Sequence, residues 1–256
     1  MTTAFMDVRA GFPQALAHEW IKFRGVRSLV WTACAVAVVP VAGAAFVAAT
    51  GSLRPDDTVL GGSLSLTVAA QVLAAVLGAL LITGEYGTGG LRTTFAATPR
   101  RTTVLAAKAT LAAGGTYGLA LPSCTLAHLA GDAMLADGRY AQGEPWPALF
   151  GIAASFAVAA LLGLAVGTLL RHSAGAVATV IGVLLLPSLL GPLFGDARRW
   201  VAGASPTAAL QKLTQTSDAT AQTAGSLGAW PSLLLVAGCT AALLVLASVT
   251  LNRRDA

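Results

Sequence analysis

Charged residues are scarce in this chain of 256 residues. Asp, Glu, Lys and Arg together make up 11% of it, against about 25% in an average soluble domain. A chain with so little charge lacks the polar cover that a water-facing surface needs, while hydrophobic residues make up 55% and the mean hydropathy is +0.73. The composition predicts an all-α membrane protein, formed as a single domain over residues 1–256.

Motifs that carry chemistry are also missing. The sequence contains no P-loop pattern GxxxxGK[ST], no HExxH and no GxSxG, which excludes the common signatures of nucleotide, zinc and serine chemistry. Three cysteines, Cys34, Cys124 and Cys239, lie in apolar runs without metal-ligand spacing. We therefore expect no catalytic residue, no metal site and no bound cofactor.

The net charge of +5 raises the question of a nucleic-acid partner. The basic residues occur in short clusters beside apolar runs, which is where the positive-inside rule of membrane proteins places them. No basic domain or aromatic-basic motif is present to bind DNA or RNA. We expect membrane lipid, and not nucleic acid, to be the partner of these clusters.

Six apolar stretches are long enough to cross a bilayer, which takes about 20 residues. They are far longer than the alternating strands of about ten residues that build a membrane β-barrel. The sequence predicts spans at about 29–49, 64–83, 104–130, 147–170, 174–194 and 231–251.

The distribution of Lys and Arg predicts the orientation. With six spans both termini share one side, and that side holds about twice as many basic residues as the other. We expect both termini in the cytoplasm and the segment 195–230 outside. Within it, Ser205 and Pro206 are typical of a helix start, and we expect the polar remainder to be exposed.

Residues 12–28 precede the first span and predict a short helix lying in the cytoplasmic interface. Phe12, Leu16, Trp20 and Phe23 share one helical face, although Glu19 interrupts its apolar character. The simpler alternative is an ordinary basic flank of a membrane span.

The segment 84–103 is a compact charged turn between the second and third spans. Glu85 follows the second span, glycines allow a reversal, and residues 91–97 can form a short helix carrying Phe95. We expect Glu85 to pair with Arg92 or with a basic residue of the 12–28 helix, and Lys108 to reach the membrane surface by snorkelling. The turn is either a polar loop held at lipid phosphates or a helix that binds a cytosolic protein.

Three stretches resemble the membrane subunits of ABC-2 type exporters in their compact six-span actinobacterial form. They are "HEWIKFRGVRSLVWT" from His18, "ITGEYGTGGLRTTFAATPRR" from Ile82 with Lys108 beyond it, and "LLGLAVGTLLRHSAGAV" from Leu161. The ending "RRDA" is similar as well. The family has Thr-Ile or Thr-Leu before the Arg that corresponds to Arg92, where this chain has Gly90 and Leu91.

The resemblance implies the permease subunit of an ATP-driven exporter in a bacterial plasma membrane. Two permease copies, or one copy and a paralogue, would pair above two cytosolic ABC ATPase subunits, which bind the ATP that this chain lacks a motif for. The cargo would be a lipophilic small molecule, lipid or peptide. The residues implied in ATPase coupling are Glu85, Tyr86, Arg92, Phe95, Arg100 and Arg101, and those of the interfacial helix are Glu19, Trp20, Lys22 and Arg24.

Two alternative functions belong to other classes. A proton-coupled drug carrier would work without ATP, and a sensor or assembly protein would transport nothing. A neighbouring gene for a soluble ATPase would favour the exporter.

Overall fold

The computed structural model describes residues 11–54, 56–90, 94, 100–135, 140–191, 193, 203, 205–217, 219–221 and 223–253. Helices hold 84% of these described residues, which include no β-strand. The predicted all-helical architecture is thereby confirmed for this part of the chain.

Six helices are long and apolar enough to cross a membrane, as the sequence predicts. Each is continuous where the sequence has an uninterrupted apolar run, because a helix satisfies its own backbone hydrogen bonds where lipid cannot. They are α2 (Arg27–Thr50), α4 (Thr67–Thr88), α5 (Arg101–Leu135), α6 (Pro145–Leu170), α7 (Ser173–Leu190) and α9 (Ala229–Arg253).

Three shorter helices complete the described fold: α1 (Phe12–Gly25), α3 (Val59–Ser63) and α8 (Pro206–Leu213). Helix α1 packs at the end of the bundle where α4 stops and α5 starts. Helices α3 and α8 lie at the opposite end. We call these ends the cluster face and the loop face.

The second span differs from its predicted bounds at both ends. It begins at Thr67, because the short helix α3 and a turn at residues 64–66 precede it, and it continues to Thr88 instead of ending at Thr83. Gly89 then ends the helix with φ +69°, a left-handed conformation that glycine adopts without steric cost. Glu85 therefore belongs to the last turns of α4 and not to a loop.

Helix α6 is the most buried of the six long helices and contacts α4, α5, α7 and α9. Its approach to α4 depends on glycine. A Cβ atom added at Gly78 would lie 1.8 Å from the carbonyl oxygen of Ala160, and one added at Gly163 would lie 1.9 Å from that of Ala75. Small residues let the two backbones touch, as is common between helices in membranes.

The predicted helix start at Ser205 is confirmed. The Ser205 hydroxyl accepts a hydrogen bond from the Ala208 amide at 3.1 Å, and Pro206 is the first residue of α8. Six of the eight residues of α8 are buried, so this short helix packs into the bundle. Its carbonyl at Pro206 accepts a bond from Gln71 at 3.2 Å, and this contact holds α8 in the bundle.

Candidate functional site: an ion cluster joining three helices

Four charged side chains meet at the cluster face and join helices that are distant in sequence. Glu19 and Lys22 belong to α1, Glu85 to the end of α4, and Lys108 to the second turn of α5. We call these four residues the ion cluster. Helical geometry presents both members from α1, because Glu19 and Lys22 are three positions apart and share one face.

Lys108 is the centre of the ion cluster. Its side chain is only 1% exposed, and its Nζ donates to Glu19 Oε2 and Glu85 Oε1, both at 2.6 Å. The third bond goes to the carbonyl oxygen of Leu81 at 3.1 Å. All three N–H donors of the ammonium group therefore have acceptors, and the expected snorkelling of Lys108 to the surface is wrong.

Lys22 forms a second, more accessible set of contacts. Its Nζ donates to Glu19 Oε1 at 2.9 Å, Glu85 Oε1 at 3.1 Å and the Thr94 hydroxyl at 2.9 Å. Thr94 in turn donates to the carbonyl oxygen of Gly90 at 2.9 Å. Glu85 thus pairs with a basic residue of the N-terminal helix, as expected, and this residue is Lys22. Lys108 is an additional partner.

The electrostatics of α1 follow from these contacts. Burial by itself raises the pKa of the Glu19 carboxyl, but the ammonium groups of Lys108 and Lys22 outweigh it and hold that pKa below its usual value of 4.5. Burial lowers the pKa of Lys22, while Glu19 and Glu85 raise it above 10.5. Both groups are therefore charged across the neutral pH range.

A buried ion cluster is a poor device for stability alone, because desolvation offsets most of the attraction between its charges. Removing one member is nevertheless costly, since the remaining charges stay buried without their partner. Such a cluster therefore fixes one relative arrangement of α1, α4 and α5. Ionisable residues held inside a membrane protein most often serve function.

Tyr86 and the two arginines at the start of α5, Arg100 just before it and Arg101 as its first residue, also lie at the cluster face. The guanidinium carbon of Arg171 lies 5.5 Å from the centre of the Tyr86 ring, within the range of a cation–π contact. Arg101 donates to the carbonyl oxygen of Leu251 at 2.8 Å, which ties α5 to the end of α9, whereas Arg100 is exposed. The ends of α4, α6 and α9 and the start of α5 therefore meet at the cluster face.

A helix, α1, lies within the segment 12–28; its interfacial position stays a prediction, and its faces are used differently than expected. Ala15 and Glu19 are the buried residues of α1, while Trp20 is exposed and stacks on Phe23 with ring centres 5.8 Å apart. Arg24 lies over the Trp20 ring at 5.7 Å. Trp20 thus points away from the bundle, whereas Phe23 is half-buried and packs against the core. The interrupting residue Glu19 also holds the helix to the bundle.

Two predicted coupling residues, Arg92 and Phe95, lie outside the described residues, as do Thr98 and Pro99. The proposed short helix at 91–97 is therefore described only at Thr94, which is buried.

Sequence reasoning missed the role of Lys108. The sequence does carry one signal for this role, namely the depth at which each charged residue lies along its helix. Glu85 lies near the end of α4 and Lys108 lies two turns into α5, so an antiparallel pair of helices places both at one level. A lone lysine in an apolar run requires a partner there.

No family model and no curated protein matches the chain.

Proposed function

We propose that the chain is the permease subunit of an ATP-driven ABC exporter of the ABC-2 type. The observation that carries this proposal is the ion cluster. Its four members come from two of the sequence stretches that resemble the family, and they join the helix before the first span to both helices flanking the 84–103 turn.

The ion cluster offers a mechanical path for coupling. A soluble ATPase bound at the cluster face would press on the 84–103 turn and α1 when it closes around ATP. Because Lys108 binds Glu19 and Glu85 simultaneously, α1 cannot move without α4 and α5. A push at the surface would therefore tilt two membrane spans as one body, and a cavity between two permease copies would open to the other side.

The lipid-facing surface of the bundle is consistent with a paired assembly. Helices α7 and α9 are the least buried of the six long helices, so much of their apolar surface remains for lipid or for a second copy. An apolar passage between copies favours a lipophilic cargo. In this proposal the cluster face is cytoplasmic, as the excess of Lys and Arg predicts.

A proton-coupled carrier is the second candidate, because carboxylates inside a membrane protein are common in proton pathways. In the ion cluster, however, Glu19 accepts bonds from two ammonium groups. That environment favours the ionised carboxylate and disfavours proton uptake.

Transport in proteoliposomes separates the two candidates. The chain is reconstituted with a soluble ATPase encoded beside it, and efflux of a lipophilic fluorescent dye is measured. We expect efflux that requires ATP and survives a protonophore. Efflux that follows an imposed pH gradient without ATP would contradict the exporter and favour the carrier.

A further inference from the structure

A cavity of about 750 Å³ lies beside the ion cluster, between α1, the start of α2, the end of α4 and the start of α5. Its volume falls within the range of about 300–1,000 Å³ that small-molecule sites occupy. Its walls are mainly apolar and include Phe23, Val26, Leu29 and Leu80, whereas Glu19, Lys22, Glu85 and Lys108 supply charge. The cavity therefore combines an apolar chamber with one polar end.

The polar end has one unused bonding position. Each ammonium group of the ion cluster donates three hydrogen bonds, and both carboxylate oxygens of Glu19 accept one. Glu85 accepts twice at Oε1, while its Oε2 is buried and has no hydrogen-bond partner among the residues that the structure describes. Because a buried acceptor without a partner is unfavourable, a ligand that donates a hydrogen bond to Oε2 would be stabilised there.

This pattern selects the chemistry of the ligand. An anionic head group would find no free N–H donor on Lys22 or Lys108. A head group that carries N–H bonds could donate to Glu85 Oε2, and a protonated amine would form the stronger, charge-assisted bond. The apolar walls would take an aliphatic or aromatic body.

We propose that this cavity is a binding site for a single-chain amphiphile with a protonated primary or secondary amine, which bonds to Glu85 Oε2. The site lies within one copy of the chain. Binding therefore requires neither a second permease nor an ATPase, and the proposal stands or falls independently of ABC transport.

The chain offers a matched pair of variants to test it. Gly84 lines the cavity, and a Cβ added there would meet no atom of the described residues within 4 Å. Gly87 lies one turn later on α4, has equally open space and does not line the cavity. Leucine at either position suits a helix better than glycine, so both variants should fold, and only Gly84→Leu should fill the cavity.

The experiment measures saturable binding of radiolabelled dodecylamine to the full chain in phosphatidylcholine nanodiscs, with empty nanodiscs as background. We expect Gly84→Leu to weaken binding at least tenfold and Gly87→Leu to bind like the wild type. Glu85→Gln should also weaken binding. This result counts only if thermal unfolding shows that the variant is folded. Wild-type affinity in Gly84→Leu would overturn the proposal.

The head group is tested by competition. Dodecylamine should be displaced by unlabelled dodecylamine, and at least tenfold less well by dodecyltrimethylammonium, which has equal charge and no N–H donor. Equal displacement by the two would overturn the assigned bond to Glu85. Lysophosphatidylethanolamine, also a single-chain amine, distinguishes a lipid ligand from a free amine. If it displaces dodecylamine, a lipid headgroup is a ligand of the site; if it does not, the site takes free amines.

Discussion

At the scale of the residue, Lys108 decides whether the cluster face holds together. Its ammonium group neutralises two carboxylates at 2.6 Å in a position that is 1% exposed. Without it, Glu19 and Glu85 would face each other as buried like charges with Lys22 alone between them. Removing Lys108 therefore costs more stability than the loss of its hydrogen bonds alone.

We predict that Lys108→Ala destabilises the protein by about 3–5 kcal/mol, the usual cost of removing one partner of a buried ion pair. The matched control is Lys212→Ala, since Lys212 donates only to the Ser232 hydroxyl, at 2.8 Å, a bond worth about 1 kcal/mol. Thermal unfolding in detergent, followed by tryptophan fluorescence, measures both. Adding Glu85→Gln to Lys108→Ala should restore part of the loss. An unchanged melting temperature in Lys108→Ala would contradict the account.

The ion cluster also predicts how stability depends on pH. The pKa of Glu19 is lowered on folding, so its contribution is present above pH 4.5 and is lost as the pH falls through the lowered value. The pKa of Lys22 is raised, so its contribution is complete below pH 10.5 and is lost as the pH rises through the raised value. The melting temperature should form a plateau between these limits.

The control for the pH profile is a variant with the four charges removed, Glu19→Gln, Lys22→Met, Glu85→Gln and Lys108→Met. At each pH, the melting temperature of this variant is subtracted from that of the wild type. The difference isolates the contribution of the ion cluster to stability from the contributions of all other titrating groups. The difference should shrink below pH 4.5 and above pH 10.5. A difference that is constant across the whole range would show that these charges add nothing to stability.

Part of this residue-scale picture follows from the sequence, and part does not. Glu85 and Lys22 could be singled out because they lie beside apolar runs in recognisable stretches. The pairing of Lys108 with Glu19 could not, since 89 residues separate them and helical periodicity carries no information about which helices touch. Glu19 also breaks the apolar face of α1, and this charged residue on an apolar face marks the point where α1 contacts the rest of the bundle.

At the scale of the element, the contact between α4 and α6 determines the packing of the bundle. The two helices approach so closely at Gly78 and Gly163 that no side chain fits between them. Hydropathy predicts both helices as spans, yet it cannot tell which glycines lie at a helix crossing and which face open space. That distinction depends on the rotation of each helix, which neighbouring helices set.

We predict that Gly78→Ala and Gly163→Ala each disrupt the fold, because the new methyl carbon would overlap a backbone carbonyl that cannot rotate away. Overpacking of this kind costs about 1–3 kcal/mol or more. Gly118→Ala on α5 is the control, since its Cβ would meet no atom within 4 Å. Size-exclusion profiles and melting temperatures of the purified variants measure the effect. Normal folding of Gly78→Ala would show that α4 and α6 lie farther apart.

At the scale of the whole molecule, the two ends of the bundle, the cluster face and the loop face, differ in charge and in packing. The cluster face has the ion cluster, Tyr86 and the exposed Arg100, while the loop face has α8 inserted among the ends of the spans. Six spans, their approximate bounds and the capped start of α8 could be predicted from the sequence, because each depends on local composition. The burial of α8 could not, since it depends on a space that only the assembled bundle creates.

Site-specific photocrosslinking tests the central claim most directly, since the proposed ATPase must touch one face and not the other. A photoreactive benzoylphenylalanine is placed at Arg100 on the cluster face or at Thr220 on the loop side, both exposed, in cells that also produce a candidate soluble ABC ATPase subunit. We predict a crosslink to that ATPase from position 100 and none from position 220. A crosslink from position 220, or none from position 100, would contradict the account.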